Sequence, residues 1–309
     1  MITETTFKGC KSIQLENDYV RVIVLPTIGG KIASFFLKDK NFELMFQNKE
    51  EIYRKAKLYD DFAEFDASGF DDAFPSIDSS KVEYAGKTIE YPDHGEIWTA
   101  DFNYTIDNEQ INMTYNSKVL PYTYSKSISL DGNSLNIEFN ILNKGKDAIP
   151  CIWAMHCLVN CEDDMQIVFP KETSQIEVVC ETPSLGKIGD IHTYPQTKTL
   201  EGKDYQLDKV MPVSSNKMEK YYAKGKVAEG ICGVDYIDKS VAFRVYYEKE
   251  KLPYLGFWIT SGGFRGDYNC ALEPTNGYYD SIDVAKKNNA LFELKPNEKL
   301  NFKIRLELR

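Results

Sequence analysis

At 309 residues the chain can bury a substantial core, so it needs neither disulfides nor a structural metal to fold. A net charge of −10 at pH 7 and a pI near 5.0 disfavour nucleic acid and anionic membranes as partners. Apolar residues make up 42 %, and 20 Tyr, 17 Phe and 3 Trp favour strands over helices.

The predicted elements are mostly strands, recognised by alternation with period two. Near the start, Val20, Val22 and Val24 alternate with Arg21 and Ile23. A short helix is predicted over 49–57 (KEEIYRKAK). Leu135, Ile137, Phe139 and Ile141 form the next clear alternation, and residues 181–217 read as long polar loops within one domain. Phe243, Val245 and Tyr247 follow, then a second short helix over 281–290 capped by Ser281 or Asp280. Leu300, Phe302, Ile304, Leu306 and Leu308 close the chain. Turn chemistry at Asp131-Gly132-Asn133, Asn143-Lys144-Gly145 and Pro296-Asn297-Glu298 bounds these strands. Many strands without βαβ units predict an all-β fold, a large antiparallel β-sandwich with few short helices, forming a single domain over 1–309.

Seven cysteines, at positions 10, 151, 157, 161, 180, 232 and 270, are odd in number and contain no CxxC pair. They read as reduced thiols, and with no signal-peptide pattern at the start and no apolar run of 18 residues the expected address is cytoplasmic. His156 and Cys157 occupy opposite faces of a strand, so a zinc site with Cys161 is not expected, and no metal is assigned.

With three histidines in the chain, each can be weighed. His94 sits in a Pro- and Gly-bounded loop, Tyr91-Pro92-Asp93-His94-Gly95, where it is either a displayed functional group or a surface residue bonded to Asp93 or Glu96. His156 lies in an apolar strand-like run. There it is either a satisfied core residue or a group aimed at a ligand from a concave sheet face. His192 falls in the polar loops and reads as surface. Glu273 ends an apolar strand and is fixed by the following Pro274, which aims it rigidly unless it is simply solvated. Asp71-Asp72 could hold ligand hydroxyls, or could cap or solvate a loop. Trp98, Trp153 and Trp258 are candidate apolar platforms, with core packing the alternative.

Taken together, the segments Tyr91–Gly95, His156–Asn160, Phe243–Ile259, Ala271–Thr275 and Phe292–Glu298 resemble the aldose 1-epimerase (galactose mutarotase-like) family in order and spacing. His156-Cys157-Leu158-Val159-Asn160 resembles its His-Pro-Tyr-Phe-Asn strand, and Leu272-Glu273-Pro274 its Leu-Glu-Pro motif. The resemblance implies a galactose mutarotase-like supersandwich, a cofactor-independent isomerase, and a small-molecule carbohydrate in a cleft across one sheet. It further implies His156 as general acid, Glu273 as general base, and His94 as a partner for the ring oxygen or neighbouring hydroxyls. Asp72, Trp98, Asn160 and Trp258 are the remaining expected sugar contacts. The chain departs from galactose mutarotases at two places. Asp71-Asp72-Ala73-Phe74-Pro75 stands where they carry Arg-Xaa-Ala-Asn, and Glu219-Lys220-Tyr221-Tyr222 lies where their binding aspartate would fall. Galactose itself is therefore not implied. Three activities remain: a mutarotase for an unphosphorylated sugar, a hexose-phosphate epimerase using Lys220 and Arg265, and a non-catalytic carbohydrate-binding or sensor protein.

Overall fold

The computed structural model describes residues 1–47, 49–65, 68–107 and 109–309. Among these residues two large antiparallel sheets dominate. The larger has thirteen strands, and across its centre run Lys31–Leu37, Phe70–Ala73, Ala154–Cys157, Tyr268–Thr275, Tyr254–Ser261 and Lys217–Ala223. The smaller has eight, with Val241–Tyr247, Lys299–Leu308, Ser134–Asn143 and Tyr122–Asp131 at its middle. This is the all-β antiparallel sandwich that the alternation predicts.

The core lies between the sheets because each strand sends every second side chain inward. Leu300, Phe302, Ile304, Leu306 and Leu308 all point there, as do Leu135, Ile137, Phe139 and Ile141 across the shared ladder. Trp153 is part of this layer and not a platform. It packs on Phe139 and Phe302 at centroid distances of 4.9 and 4.6 Å, and its indole N–H donates to the Tyr124 hydroxyl at 2.7 Å. Fully burying an apolar side chain of this kind contributes about 1.5–3 kcal/mol.

The turns follow their residues. Asp131 pairs with Ser134 to close a hairpin over Gly132-Asn133, with Gly132 in the left-handed region at φ 55°. The Asn143 side chain accepts from the Gly145 amide and donates to the carbonyls of Asp147 and Leu294, tying a turn to the neighbouring strand. Residues 181–217 hold more strand than the sequence suggests. Ile191–Thr193 forms one edge of the larger sheet, and Gln196–Lys198 pairs with Asp204–Gln206.

The two predicted helices fare differently. The second forms at Ile282–Lys287, with the Ser281 hydroxyl accepting from the Val284 amide at 3.3 Å. The first does not form over 49–57. There the Tyr53 amide donates to the Lys8 carbonyl, and Tyr53 is buried in a cluster with Ile23, Leu25, Ile28 and Ala33. A short segment cannot offset helix nucleation against such tertiary anchoring. A single helical turn appears later, at Phe62–Phe65.

Asp72 sits on the inward face of its strand, between Phe70 and Phe74, both core residues. Its carboxylate lies 2.6 Å from the ammonium of Lys126, which reaches across from the smaller sheet, and both side chains are buried. Asp72 is therefore a structural ion pair between the sheets, in place of the sugar ligand expected. Removing one partner strands a buried charge, whereas replacing both with apolar groups does not. Asp72→Ala is expected to lower stability by about 3–5 kcal/mol in urea unfolding, and Asp72→Leu/Lys126→Met to recover most of that loss.

Candidate active-site cleft

The outward face of the larger sheet carries the complementary set of side chains. On Tyr268–Thr275, Cys270 and Leu272 face the core, which sends Asn269, Ala271 and Glu273 outward. The same parity on Tyr254–Ser261 turns Gly256 and Trp258 outward, and on Lys217–Ala223 it turns Lys220 and Tyr222 outward. On Ala154–Cys157, Met155 and Cys157 are core residues and His156 faces out. His156 and Cys157 thus part as the strand pattern requires, and no metal-binding cluster occurs among the described residues.

Of these outward residues, His156, Lys220, Trp258, Asn269 and Glu273 line a cleft of about 200 Å³, with Phe62, Ala63, Asp93, His94, Leu158 and Phe264 completing its walls. His156 Nε2 is 3.9 Å from Glu273 Oε1, and Lys220 Nζ is 3.9 Å from Glu273 Oε2. Those separations are too long for direct hydrogen bonds. An oxygen placed about 2.8 Å from each partner would bridge either gap. Glu273 is 1 % exposed, yet neither carboxylate oxygen has a hydrogen-bond partner among the described residues. Buried acceptors are almost always satisfied, so this orphaned pair needs a reason. Gly256, directly opposite Glu273, leaves room for the carboxylate. A Cβ there would stand 3.1 Å from Glu273 Oε2 and 3.0 Å from the Tyr222 ring.

His94 arrives from a loop, in the left-handed region at φ 55°. Its amide donates to the Ile77 carbonyl, and its ring stacks on Phe62 at 4.0 Å. It meets the His156 ring edge-on at 4.8 Å. Of its two foreseen partners, Asp93 is the one it takes, at 3.0 Å. Glu96 instead accepts from Tyr115, Ser117, Tyr122 and the Lys118 amide, anchoring the loop in the sandwich. Gly95 has φ 74°, and a Cβ there would lie 2.1 Å from the Phe74 carbonyl oxygen, so glycine is required for the loop to dock.

Burial moves both groups away from their ordinary titration. Burial pushes Glu273 up to about 7, with Lys220 opposing and Asp280 and Asp78 adding to the rise. Burial likewise drives His156 well below the usual imidazole range, reinforced by the charges of His94, Lys220 and Lys31. His156 is therefore neutral near pH 7, contrary to the partial protonation expected for an unperturbed histidine.

The structure brings together His156, Glu273, His94 and Trp258 of the expected set. It does not bring the others. Trp98 is 3 % exposed and packs behind Phe62 at 5.1 Å, its N–H donating to the Asp93 carbonyl. Asn160 donates to the carbonyls of Glu43 and Met45, a strand-joining role outside the cleft. Asp71 faces outward opposite His156 but is bonded to Lys31. Lys220, Asn269, Phe62 and Phe264 line the cleft without having been expected as contacts for an unphosphorylated sugar. Counting by twos from Glu273 finds Asn269, whereas nothing local in the sequence marks Phe62.

A sandwich with such a cleft on its larger sheet has the galactose mutarotase-like fold, and solved structures agree. The Slr1438 protein from Synechocystis matches with a TM-score of 0.71 at 16 % identity, covering 98 % of each chain. A galactose mutarotase related enzyme from Lactobacillus acidophilus gives 0.68 at 15 %, covering 96 % of this chain and 97 % of that one. A galactose mutarotase-like protein from Lactobacillus casei gives 0.70 at 15 %, covering 96 % and 100 %. No curated protein sequence matches the chain. The chain belongs to the family described as a domain of unknown function, DUF5107, whose model matches residues 2–289.

Proposed function

We propose that the cleft interconverts the α and β anomers of an unphosphorylated sugar. The observation that carries this reading is the buried Glu273 carboxylate, without a hydrogen-bond partner among the described residues and facing His156 across 3.9 Å. A carboxylate poised near neutral pH is suited to removing a proton, since base strength and availability are then balanced. The name of the similar Lactobacillus acidophilus enzyme is in keeping with this chemistry.

In this mechanism Glu273 takes the proton of the C1 hydroxyl. The C1–O bond to the ring oxygen breaks as C1 becomes an aldehyde, and the ring oxygen gains alkoxide character. A neutral imidazole can serve such an oxygen, as its N–H donates a hydrogen bond and yields its proton to a strong base. His156, as the Nε2–H tautomer, gives that proton, and the open chain turns about the C1–C2 bond. Reclosure on the other face returns one proton to His156 and one from Glu273 to the new C1 hydroxyl. No proton is gained or lost. Trp258, Phe264 and Phe62 offer apolar surface to the C–H face of the ring.

A phosphorylated substrate fits less well. Lys220 is the one Lys or Arg among the described residues lining the cleft, and Asp280 already holds it at 2.5 Å. Arg265 stands outside that lining, its guanidinium donating to the Ala63 carbonyl.

Purified protein should therefore speed mutarotation of at least one freshly dissolved aldose in the presence of chelator, as followed by polarimetry or NMR. Glu273→Gln and His156→Asn should each lower turnover by about 10²–10⁴-fold with a much smaller change in sugar affinity. Full turnover in Glu273→Gln would exclude the mechanism. The pH dependence has a definite sign. Because the ionised carboxylate is the active form, kcat/KM should rise with pH through a midpoint of about 7. In competition calorimetry, a neutral hexose should bind more tightly than its 6-phosphate, and the reverse order would favour the phosphate substrate.

A further inference from the structure

Lys220, which lines the cleft, and Asp280 form a charged pair beside Glu273. Asp280 is fixed from several directions. The Tyr222 hydroxyl donates to its Oδ1 at 2.6 Å, and its backbone carbonyl accepts from the amides of Ile77 and Asp78. Its other oxygen draws Lys220 Nζ to 2.5 Å and leaves that ammonium 3.9 Å from Glu273 Oε2. The Lys220 side chain is 14 % exposed and that of Asp280 9 %, so solvent screens the trio weakly.

We propose that Lys220 is a positioning residue that favours the ionised form of Glu273, and that Asp280 limits this effect by holding the ammonium one step away. The proposal rests on the reading of Glu273 as the base. The residues around Glu273 are consistent with it. Lys217–Ala223 contributes Lys220 and Tyr222, Ala154–Cys157 contributes His156, and Tyr254–Ser261 contributes only Gly256 next to it. Asp280 and Asp78 add negative charge, while His94 and the Lys31–Asp71 pair lie beyond His156. Within this set Lys220 is the cation nearest the carboxylate whose own charge is secure. Burial works against it, but Asp280 and then Glu273 hold it above the ordinary lysine range. An opposite charge at 4–6 Å favours the ionised carboxylate, and a like charge opposes it. Two adjacent residues should therefore move one titration in opposite directions, which a purely structural role would not do.

The test is a carbon-detected NMR titration of the glutamate carboxyls in the ligand-free protein, with the Glu273 signal assigned by its loss in Glu273→Gln. Lys220→Met should raise the Glu273 midpoint by about one pH unit or more, and Asp280→Asn should lower it. Lys220→Arg should restore a midpoint near that of the unmodified protein. The double variant Lys220→Met/Asp280→Asn strands neither charge and should titrate between the two single variants, so a misfolded single variant does not end the test. In parallel, the acid limb of kcat/KM should move with each midpoint. Shifts in the same direction, or none, overturn the proposal. Opposite shifts in a protein that turns over no aldose would uphold the charge relation and refute Glu273 as a sugar base.

Discussion

Each central strand of the larger sheet must keep one face dry against the smaller sheet, and what its other face can display follows from that constraint. Strand parity is fixed by the core residues: Met155 and Cys157, Leu255 and Phe257, Cys270 and Leu272. Once these are buried, His156, Trp258 and Glu273 have one direction left to point. A slip of one residue would bury the histidine and the carboxylate between the sheets and expose the core. The stability of the sandwich and the placement of its cleft are thus the same requirement.

That constraint also explains the two roles of the adjacent aspartates. Asp71 and Asp72 are neighbours in sequence and face opposite ways in the sheet. Asp72 meets Lys126 from the smaller sheet, and Asp71 meets Lys31 on the outer face opposite His156. Neither lines the cleft. Buried pairs of this kind add little net stability over an apolar core, but breaking one is costly.

The cleft holds a buried carboxylate in an unusual state. The buried Glu96 carboxylate, by contrast, collects four donors. Glu273 has none among the described residues, and His156 beside it is kept neutral by its surroundings. Such groups cost folding energy, and sites that do chemistry are where proteins tolerate that cost. The apolar walls of Phe62, Trp258 and Phe264 keep the local dielectric low, so small displacements of charge there have large effects.

The alternation of apolar residues, the turn residues and the Ser281 cap were legible in the sequence because they are local, and they determined an antiparallel sandwich. The pairing of His156 with Glu273 was legible only as a resemblance of motifs, with more than a hundred residues between the two. Tertiary structure decided the rest. It placed Asp72, Trp98 and Asn160 away from the cleft, and it held residues 49–57 out of a helix by docking Tyr53. It also brought Lys220 and Asp280 beside the carboxylate. The reason is physical. Period-two alternation says which residues share a face, whereas their neighbours across the sheet depend on strand order and register. The protonation of Glu273 and His156 depends on burial and on charges brought from distant segments.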